Sequence, residues 1–236
     1  MTTEPGRSSE RRPLRGILIA AIQTAKADIQ LVNTLEYGEV FIMNNEIQSS
    51  AVDQQFYHAK LVGLAVRDDA QQIVIFGGGE GCTAQTAFES APAAQIVQYD
   101  YDLEAMIWCN HYLHNWNKGV YNNPRLSVIA ADAEAVILQP ESADAVLIDL
   151  FDYTPEMESF MIKVLQKSAT ALRSGGRCAA YLGDDTATLR DFICRLQTGC
   201  NAVADSAFPN CKITYSLAYF PSYGDLNSVF LVIERL

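Results

Sequence analysis

The ten residues QIVIFGGGEG, Gln72 to Gly81, join a strand-length apolar run to a turn of four glycines and one glutamate. A nearly all-apolar strand is typical of a parallel sheet that is covered on both faces. The glycines permit positive φ and close approach to a ligand, and a helix predicted from Thr83 to Ser90 would direct its partly positive N-terminus there. Strand, glycine turn and helix together predict a nucleoside site. GGGEG lacks the GxGxxG spacing of dinucleotide sites, so a turn needed only for packing stays an alternative.

Strands and helices alternate beyond this turn. Apolar runs predict further strands at 95–99, 126–130, 145–148 and 178–182, and helical patterns lie between them at 103–116 and 159–172. The last two apolar runs, 213–220 and 229–233, predict a closing antiparallel pair. This alternation predicts an α/β fold with a Rossmann-like, doubly wound sheet of the class I methyltransferase-like kind.

The N-terminal part has a different pattern. The runs GILIAAI, ADIQLVN, GEVFIMN and EIQ predict a small β-meander, with a hairpin turn at Asn44-Asn45. A helix is predicted from Val52 to Val66, with Phe56, Leu61, Leu64 and Ala65 near one face. We therefore expect a flexible tail at 1–15, the meander at 16–50 and a Rossmann-like, nucleoside-binding catalytic domain at 51–236.

Composition narrows the classes of function. The chain has 236 residues, 49% of them hydrophobic and 19% charged, and a net charge of −11. Negative charge disfavours nucleic acid and weakly favours a cationic partner, although acidity for solubility alone stays an alternative. No apolar run is long enough to span a membrane, and no apolar core follows the polar first dozen residues, so neither a membrane span nor a secretory signal is predicted. Six cysteines without a CxxC pair or zinc-type histidine spacing predict free thiols, no metal and a cytoplasmic location.

Acidic residues close two of the predicted strands. Asp100 follows the glycine turn by about twenty residues, where a carboxylate accepts hydrogen bonds from both ribose hydroxyls. Asp132 ends the next strand, where a carboxylate meets the exocyclic amine of adenine. The turn has no lysine or arginine suited to phosphate, which disfavours ATP and NADP. An adenosine derivative is the predicted ligand.

Three further carboxylates indicate a cationic ligand. Glu80, inside the glycine turn, would repel a phosphate but attract an adenosyl sulfonium or the ammonium of its side chain. Asp149 and Asp152 end the fourth strand, where two acids can hold an ammonium group and remove its proton before nucleophilic attack. A solvated loop acid at Glu80 and a helix cap at Asp152 stay alternatives.

These motifs resemble the polyamine aminopropyltransferases, the spermidine synthase family. The resemblance runs from about Asp28 to Phe230, and it is closest to the thermospermine synthase and agmatine-type branch. Its motifs are ADIQLV, EYGEVFIMNNEIQ, SSAVDQQFYH, VIFGGGEGCTA, IVQYDYD, AADAEAV, VLIDLFD and YFPSYG. The resemblance implies a homodimer that transfers an aminopropyl group from decarboxylated S-adenosylmethionine to a small-molecule amine and releases methylthioadenosine, without nucleic acid, membrane or metal.

The resemblance also implies a role for each motif residue. Asp149 is the general base, helped by Tyr57. The nucleoside donor is bound by Gln48, Gly77, Gly78, Gly79, Glu80, Asp100, Asp132 and Ala133, with Glu80 on its amino group. Asp152 and Tyr223 bind the acceptor amine, and His58 lines the same cleft.

The sequence departs from the family mainly on the acceptor side. Ala51, Gln54 and Ala59 stand where the family usually has acidic residues, and Asn227-Ser228 stand where it commonly has a tryptophan. The bulky Leu150 and Phe151 would narrow the acceptor channel. The lid loop that follows Asp152 is shorter than in the family. Two alternatives therefore stay open. One is a methyl- or alkyltransferase that uses S-adenosylmethionine itself, against which Glu80 argues. The other is a non-catalytic, nucleoside-binding homologue.

Overall fold

The computed structural model describes residues 15–201 and 208–236. The tail predicted at 1–15 lies, apart from its last residue, outside the described residues. In the described part the chain forms eleven strands in two sheets and six α-helices. None of those helices has both the length and the apolar character that crossing a bilayer requires.

The N-terminal strands form an antiparallel sheet of four in chain order. They are β1 (Gly16–Gln23), β2 (Asp28–Thr34), β3 (Gly38–Met43) and β4 (Glu46–Ser50). Asn44 and Asn45 have φ of 53° and 65°, the left-handed conformation that a two-residue type I′ hairpin turn requires. The predicted meander and its turn are confirmed.

The second sheet has seven strands in the order β10-β11-β9-β8-β5-β6-β7. They are β5 (Gln72–Gly77), β6 (Gln95–Asp100), β7 (Leu126–Ala130), β8 (Ala143–Asp149), β9 (Leu172–Asp184), β10 (Cys211–Ala218) and β11 (Ser228–Arg235). Strands β5 to β9 pair in parallel, while β11 pairs antiparallel with both β9 and β10. The predicted doubly wound α/β fold and its closing antiparallel pair are confirmed.

Helices cover both faces of this sheet. They are α1 (Gln54–Ala65), α2 (Cys82–Ser90), α3 (Leu103–Tyr112), α4 (His114–Asn117), α5 (Glu158–Ala171) and α6 (Ala187–Asn201). Alternate residues of β5 face opposite sides, as a strand requires. Ile73 and Ile75 pack with residues of α1 and α2, and Val74 and Phe76 pack with residues of α5 and α6.

A third apolar cluster joins the N-terminal sheet to α3. It contains Ile29, Leu31 and Phe41 from the sheet and Trp108 and Cys109 from the helix. The cluster fixes the N-terminal sheet beside the carboxyl ends of the parallel strands. Both sheets therefore contribute walls to the space above those strand ends.

Several sequence predictions were wrong in detail. The helix predicted over 103–116 is two helices, because the chain tightens at Leu113 and the N–H of Trp116 bonds only three residues back, to the Leu113 carbonyl. Strand β9 starts at Leu172 rather than Cys178, since Leu172 already pairs with Ala143 before an irregularity in the register.

Helices α1 and α6 hold two further corrections. Phe56 is exposed, and the buried face of α1 carries Tyr57, His58, Leu61, Val62 and Ala65 instead. Helix α6 was not predicted, although its buried residues recur at helical spacing, at Leu189, Phe192, Ile193 and Leu196.

Candidate active site

A cavity of about 610 Å³ lies at the carboxyl ends of the parallel strands, beside the N-terminal sheet. Open α/β sheets bind ligands at this edge. Twelve of the thirteen predicted site residues line the cavity: Gln48, Tyr57, Gly77, Gly78, Gly79, Glu80, Asp100, Asp132, Ala133, Asp149, Asp152 and Tyr223. The topology therefore brings together residues from both sheets that are up to 175 positions apart in sequence.

Acidic groups dominate the charge of this cavity. Its lining residues include seven carboxylates, at Glu46, Glu80, Asp100, Asp102, Asp132, Asp149 and Asp152. Lys26 is the only lysine or arginine among the lining residues that the structure describes. Low-dielectric walls concentrate the negative field of such a cleft, so the cavity suits a ligand with positive charge.

The glycine turn brings backbone close to two of these carboxylates. Gly77 has φ of 77°, and a Cβ on it would lie 2.1 Å from the carbonyl oxygen of Asp149. A Cβ on Gly79 would lie 2.9 Å from Asp100 Oδ2. The contact at Gly77 is with backbone, so this position excludes any side chain, whereas a Cβ on Gly79 would displace the end of the Asp100 side chain.

Side chains that the sequence analysis did not single out hold the carbonyls of this turn. The buried amide of Gln98 donates to the carbonyls of Gly77 and Gly78 at 2.7 and 2.8 Å. The hydroxyl of Tyr121 donates to the Gly79 carbonyl at 2.8 Å, and the amide of Asn117 donates to the Glu80 carbonyl at 3.0 Å. The position of Gln98, a polar residue within an otherwise apolar strand, was the one sequence feature that could have indicated this role.

Glu80 is buried and only partly satisfied. Its Oε1 accepts a hydrogen bond from Ser49 Oγ at 3.0 Å and lies 2.5 Å from His58 Nε2. Its Oε2 is buried and has no hydrogen-bond partner among the described residues. A buried carboxylate oxygen without a partner is costly, so this oxygen is suited to a donor that the ligand supplies.

His58 does not line the cavity, and that part of its predicted role is wrong. Its fully buried ring lies behind Glu80, with Nδ1 2.6 Å from the Gln54 carbonyl. A carbonyl only accepts hydrogen bonds, so Nδ1 carries a proton and Nε2 faces the carboxylate. Burial lowers the pKa of His58, but the carboxylates of Glu80 and Asp149 outweigh burial and raise it overall.

The same region contains the one cluster of three metal-ligating side chains found in the described ranges. Single ligand atoms of His58, Glu80 and Cys82 all lie within 4.8 Å of one another. His58 and Glu80 are 2.5 Å apart, whereas two ligands of a tetrahedral ion lie about 3.3 Å apart when each is about 2.0 Å from the metal. The geometry fits an acid–base pair, and the absence of a metal stays a prediction.

The residues predicted to bind nucleoside lie at the ends of β6 and β7. Burial raises the pKa of Asp100 to about 6, although its Oδ1 accepts a hydrogen bond of 2.9 Å from the backbone N–H of Asp102. Asp132 Oδ1 accepts from the N–H of Glu134 at 2.8 Å, and the Ala133 carbonyl accepts from Lys167 Nζ at 2.8 Å. These bonds fix the backbone that forms this end of the cavity.

Asp149 receives one hydroxyl on each carboxylate oxygen. Tyr57 Oη donates to Oδ1 and Thr83 Oγ1 donates to Oδ2, both at 2.5 Å. Burial, followed by the charge of Asp149, raises the pKa of Tyr57 well above its ordinary value, so the phenol keeps its proton and remains a donor. Thr83 is a contact that the sequence analysis missed.

Gln48 and Tyr223 are joined across the cavity wall. The hydroxyl of Tyr223 donates to the backbone carbonyl of Gln48 at 2.5 Å. Its ring lies 5.7 Å from that of Tyr57 in an edge-to-face contact. Tyr181, which also lines the cavity and lies 5.2 Å from Tyr57, belongs to the same aromatic group and was not predicted.

The short segment after β8 is anchored to its surroundings. The backbone N–H of Tyr153 donates to the Leu182 carbonyl at 2.9 Å, and its ring stacks on Phe192 at 4.4 Å. Asp152 packs against Gly183: a Cβ on Gly183 would lie only 2.9 Å from the Cγ of Asp152. Leu150 and Phe151 line the cavity and pack in the cluster beneath α5.

The family described as "Spermine/spermidine synthase domain" matches residues 54–236. A polyamine aminopropyltransferase of Pyrobaculum calidifontis is 29% identical over 201 residues, which are 75% of this chain and 70% of that protein. Polyamine aminopropyltransferase 2 of Pseudomonas aeruginosa is 28% identical over 65% of this chain, and the match covers 46% of its own length. Several of the curated relatives that the chain matches are thus about twice as long as the shared region.

Two solved structures share the fold. The spermidine synthase of Thermotoga maritima superposes with a TM-score of 0.75 at 15% identity, covering 94% of this chain and 74% of that one. A spermidine synthase in complex with the transition-state analogue AdoDATO gives a TM-score of 0.77 at 17% identity, covering 94% of this chain and 75% of that one.

Proposed function

From the premise that this chain belongs to the spermine/spermidine synthase family, we propose that it transfers an aminopropyl group from decarboxylated S-adenosylmethionine to an amine and releases methylthioadenosine. The observation that carries the proposal is the environment of the Glu80 carboxylate. Glu80 is buried in the glycine turn of an acidic cavity and holds one carboxylate oxygen without a partner among the described residues. The primary ammonium of the decarboxylated donor supplies the cation and the donor hydrogens that this oxygen lacks.

The donor occupies the nucleoside side of the cavity in this proposal. Asp100 accepts hydrogen bonds from the ribose hydroxyls, and Asp132 with the backbone of Ala133 binds adenine. Glu80 and Gln48 bind the aminopropyl arm, and Gly77, Gly78 and Gly79 let backbone approach the sulfur. Ordinary S-adenosylmethionine would bring a carboxylate toward Glu80, and like charges at this distance oppose its binding.

The acceptor amine approaches between Asp149 and Asp152. Asp149 removes a proton from the acceptor ammonium, and the freed nitrogen lone pair forms a bond to the carbon beside sulfur. The carbon–sulfur bond breaks at the same time, and its electron pair turns the sulfonium into the neutral thioether of methylthioadenosine. The new secondary ammonium keeps the positive charge, next to the carboxylates of Asp149 and Asp152, with Tyr223 completing the acceptor site.

Alignment of nitrogen, carbon and sulfur is the main task in such a displacement. The hydroxyls of Tyr57 and Thr83 fix the direction of the Asp149 carboxylate, and the anchored segment after β8 fixes Asp152. This proposal also includes a homodimer, a cytoplasmic location and a domain boundary between residues 50 and 51. It further includes a place in the thermospermine or agmatine-type branch of the family. A measurement of native mass tests the dimer directly.

Turnover tests the proposal. The protein is incubated with decarboxylated S-adenosylmethionine and a panel of diamines, triamines, tetraamines and agmatine, and methylthioadenosine and the aminopropylated amine are quantified by liquid chromatography and mass spectrometry. Asp149→Asn is expected to lower kcat by a factor on the order of 10² to 10⁴. Glu104→Gln is the matched control, because it removes an exposed carboxylate of α3 outside the cavity.

Each outcome selects one function. Equal amounts of methylthioadenosine and aminopropylated product support the transferase. Tighter binding of ordinary S-adenosylmethionine, with transfer of its methyl group, would establish the methyltransferase alternative. A non-catalytic homologue would bind the nucleoside without turnover of any amine, and Asp149→Asn would bind it with the same affinity as the wild type.

A further inference from the structure

We infer that Thr83 is a positioning residue of this site: its hydroxyl holds the Asp149 carboxylate in the orientation that receives the proton of the acceptor amine. The inference rests on the proposed function, because it assigns Thr83 a task in the step that Asp149 performs. Thr83 does not line the cavity, and it acts on the reaction through Asp149 alone.

The contact itself is specific. Thr83 is the second residue of α2 and is fully buried, and its Oγ1 donates to Asp149 Oδ2 at 2.5 Å. Tyr57 Oη donates to the other oxygen, Oδ1, at the same distance. One hydroxyl on each oxygen, supplied by two different helices, opposes rotation of the carboxylate about its Cβ–Cγ bond.

The glycine turn makes room for this arrangement. A Cβ on Gly78 would lie 3.3 Å from Asp149 Oδ2 and 3.4 Å from the Cβ of Thr83, so a side chain there would crowd the carboxylate and contact Thr83. The N–H of Gly78 also donates to the backbone carbonyl of Asp149 at 2.8 Å. Backbone and side chain of Asp149 are therefore both fixed by the turn and the start of α2.

The remaining lone pairs of the carboxylate stay available to the substrate. A carboxylate offers about four lone-pair positions, and the two hydroxyls occupy one on each oxygen. A fixed plane keeps one of the others directed at the attacking nitrogen, and small losses of alignment in a displacement lower the rate strongly. Without Thr83, Tyr57 alone would hold one oxygen and the carboxylate could turn about that contact.

Three variants test the inference. Thr83→Val keeps the shape of the side chain and removes the hydroxyl, and Thr83→Ser keeps the hydroxyl. Thr86→Val makes the same change one turn further along α2, away from the cavity lining. Steady-state kinetics with the best acceptor and a urea unfolding midpoint are measured for each variant, and Thr83→Ala replaces the valine variant if that protein does not fold.

The expected result is a split between kcat and KM. Thr83→Val lowers kcat by about tenfold to a hundredfold, the range for one hydrogen bond to a charged group, and leaves the KM for the donor within about twofold. Thr83→Ser recovers kcat to within about threefold, and Thr86→Val matches the wild type. A merely structural role for Thr83 would instead lower the unfolding midpoint without this selective loss of kcat.

The experiment distinguishes failure of the role given to Thr83 from failure of the proposed function. Wild-type kcat in folded Thr83→Val, or no recovery in Thr83→Ser, overturns the role of Thr83 and leaves the transferase intact. Absence of turnover in the wild type with every amine overturns the proposed function, and the role of Thr83 falls with it.

Discussion

Asp53 accepts hydrogen bonds from both the backbone N–H and the Oγ of Ser222, each at 2.8 Å, although 169 residues separate the two in sequence. The carboxylate also accepts from Ser50 Oγ at 2.8 Å and is almost completely buried. Ser222 lies in the short helical turn Pro221–Tyr223, so the bond joins the start of α1 to the turn that carries Tyr223. The turn that places Tyr223 at the cavity thus depends on a contact outside the cavity.

Replacement of Asp53 by alanine should destabilise the protein by at least about 3 kcal/mol. The change leaves the buried N–H and hydroxyl of Ser222 and the hydroxyl of Ser50 without their acceptor, and each unsatisfied buried group costs about 1 to 3 kcal/mol. Urea unfolding followed by circular dichroism measures the loss. Asp225→Ala, an exposed acid just after the same turn, is the control and should change stability by less than about 0.5 kcal/mol. Equal stabilities of the two variants would contradict the role given to Asp53.

The sequence was sufficient to predict the strand ends of the site. Acids that close parallel strands must meet at one edge of a sheet, so Asp100 and Asp149 were placed correctly from their position after apolar runs. Thr83 was missed because its partner lies 66 residues away, and nothing local to a threonine in α2 indicates that contact.

The position of His58 shows a different limit. Tyr57 and His58 are adjacent in a motif, but successive residues of a helix point about 100° apart. Tyr57 faces the cavity, and His58 therefore lies behind Glu80. A motif places both residues near a site, while the rotation of the helix decides which of them lines it.

Alanine at Gly79 should strongly weaken binding of the nucleoside while the protein still folds. A Cβ at this position would lie 2.9 Å from Asp100 Oδ2, so it would displace the carboxylate that is proposed to hold the ribose. Equilibrium binding of methylthioadenosine, measured by calorimetry, is expected to weaken by more than about a hundredfold, or about 2.7 kcal/mol. Gly63→Ala is the control: its Cβ meets nothing within 4 Å in α1, so it should leave binding unchanged and raise stability by about 0.5 to 1 kcal/mol. Unchanged affinity in Gly79→Ala would place the ribose elsewhere.

Replacement of Glu80 by glutamine should weaken binding of decarboxylated S-adenosylmethionine but not binding of methylthioadenosine. Decarboxylated S-adenosylmethionine carries an ammonium that needs the carboxylate charge, and methylthioadenosine has no such group. The Kd for the donor should therefore rise by about tenfold to a hundredfold, the cost of one charge-assisted hydrogen bond. The Kd for methylthioadenosine should stay within about twofold. A parallel loss of affinity for both nucleosides would assign Glu80 to the adenosine part and remove the main support for an amine-bearing donor.

Asparagine at Asp100 should stabilise the free protein at neutral pH while it weakens donor binding. Burial raises the pKa of Asp100 from its ordinary value of 3.8 to about 6, so the folded protein binds this proton more tightly than the unfolded chain does. A raised carboxyl pKa contributes stability that is fully present below about pH 4 and is lost as the pH rises through about 6. At neutral pH the ionised group thus lowers stability by up to about 3 kcal/mol, since one pKa unit corresponds to about 1.4 kcal/mol.

The neutral amide of the variant has no ionised form to bury, and its carbonyl can still accept from the N–H of Asp102. Urea unfolding should show Asp100→Asn to be about 1 to 3 kcal/mol more stable than the wild type at about pH 8, with the advantage disappearing below about pH 4. Its affinity for methylthioadenosine should fall at about pH 8, where the wild-type carboxylate is ionised, because one amide oxygen cannot accept from both ribose hydroxyls as a carboxylate does. This difference in affinity should shrink below about pH 4, where the wild-type carboxyl is protonated. A stability difference that does not vary with pH would show that burial of this carboxylate carries no such penalty. Unchanged affinity for methylthioadenosine at about pH 8 would show that Asp100 does not bind the ribose.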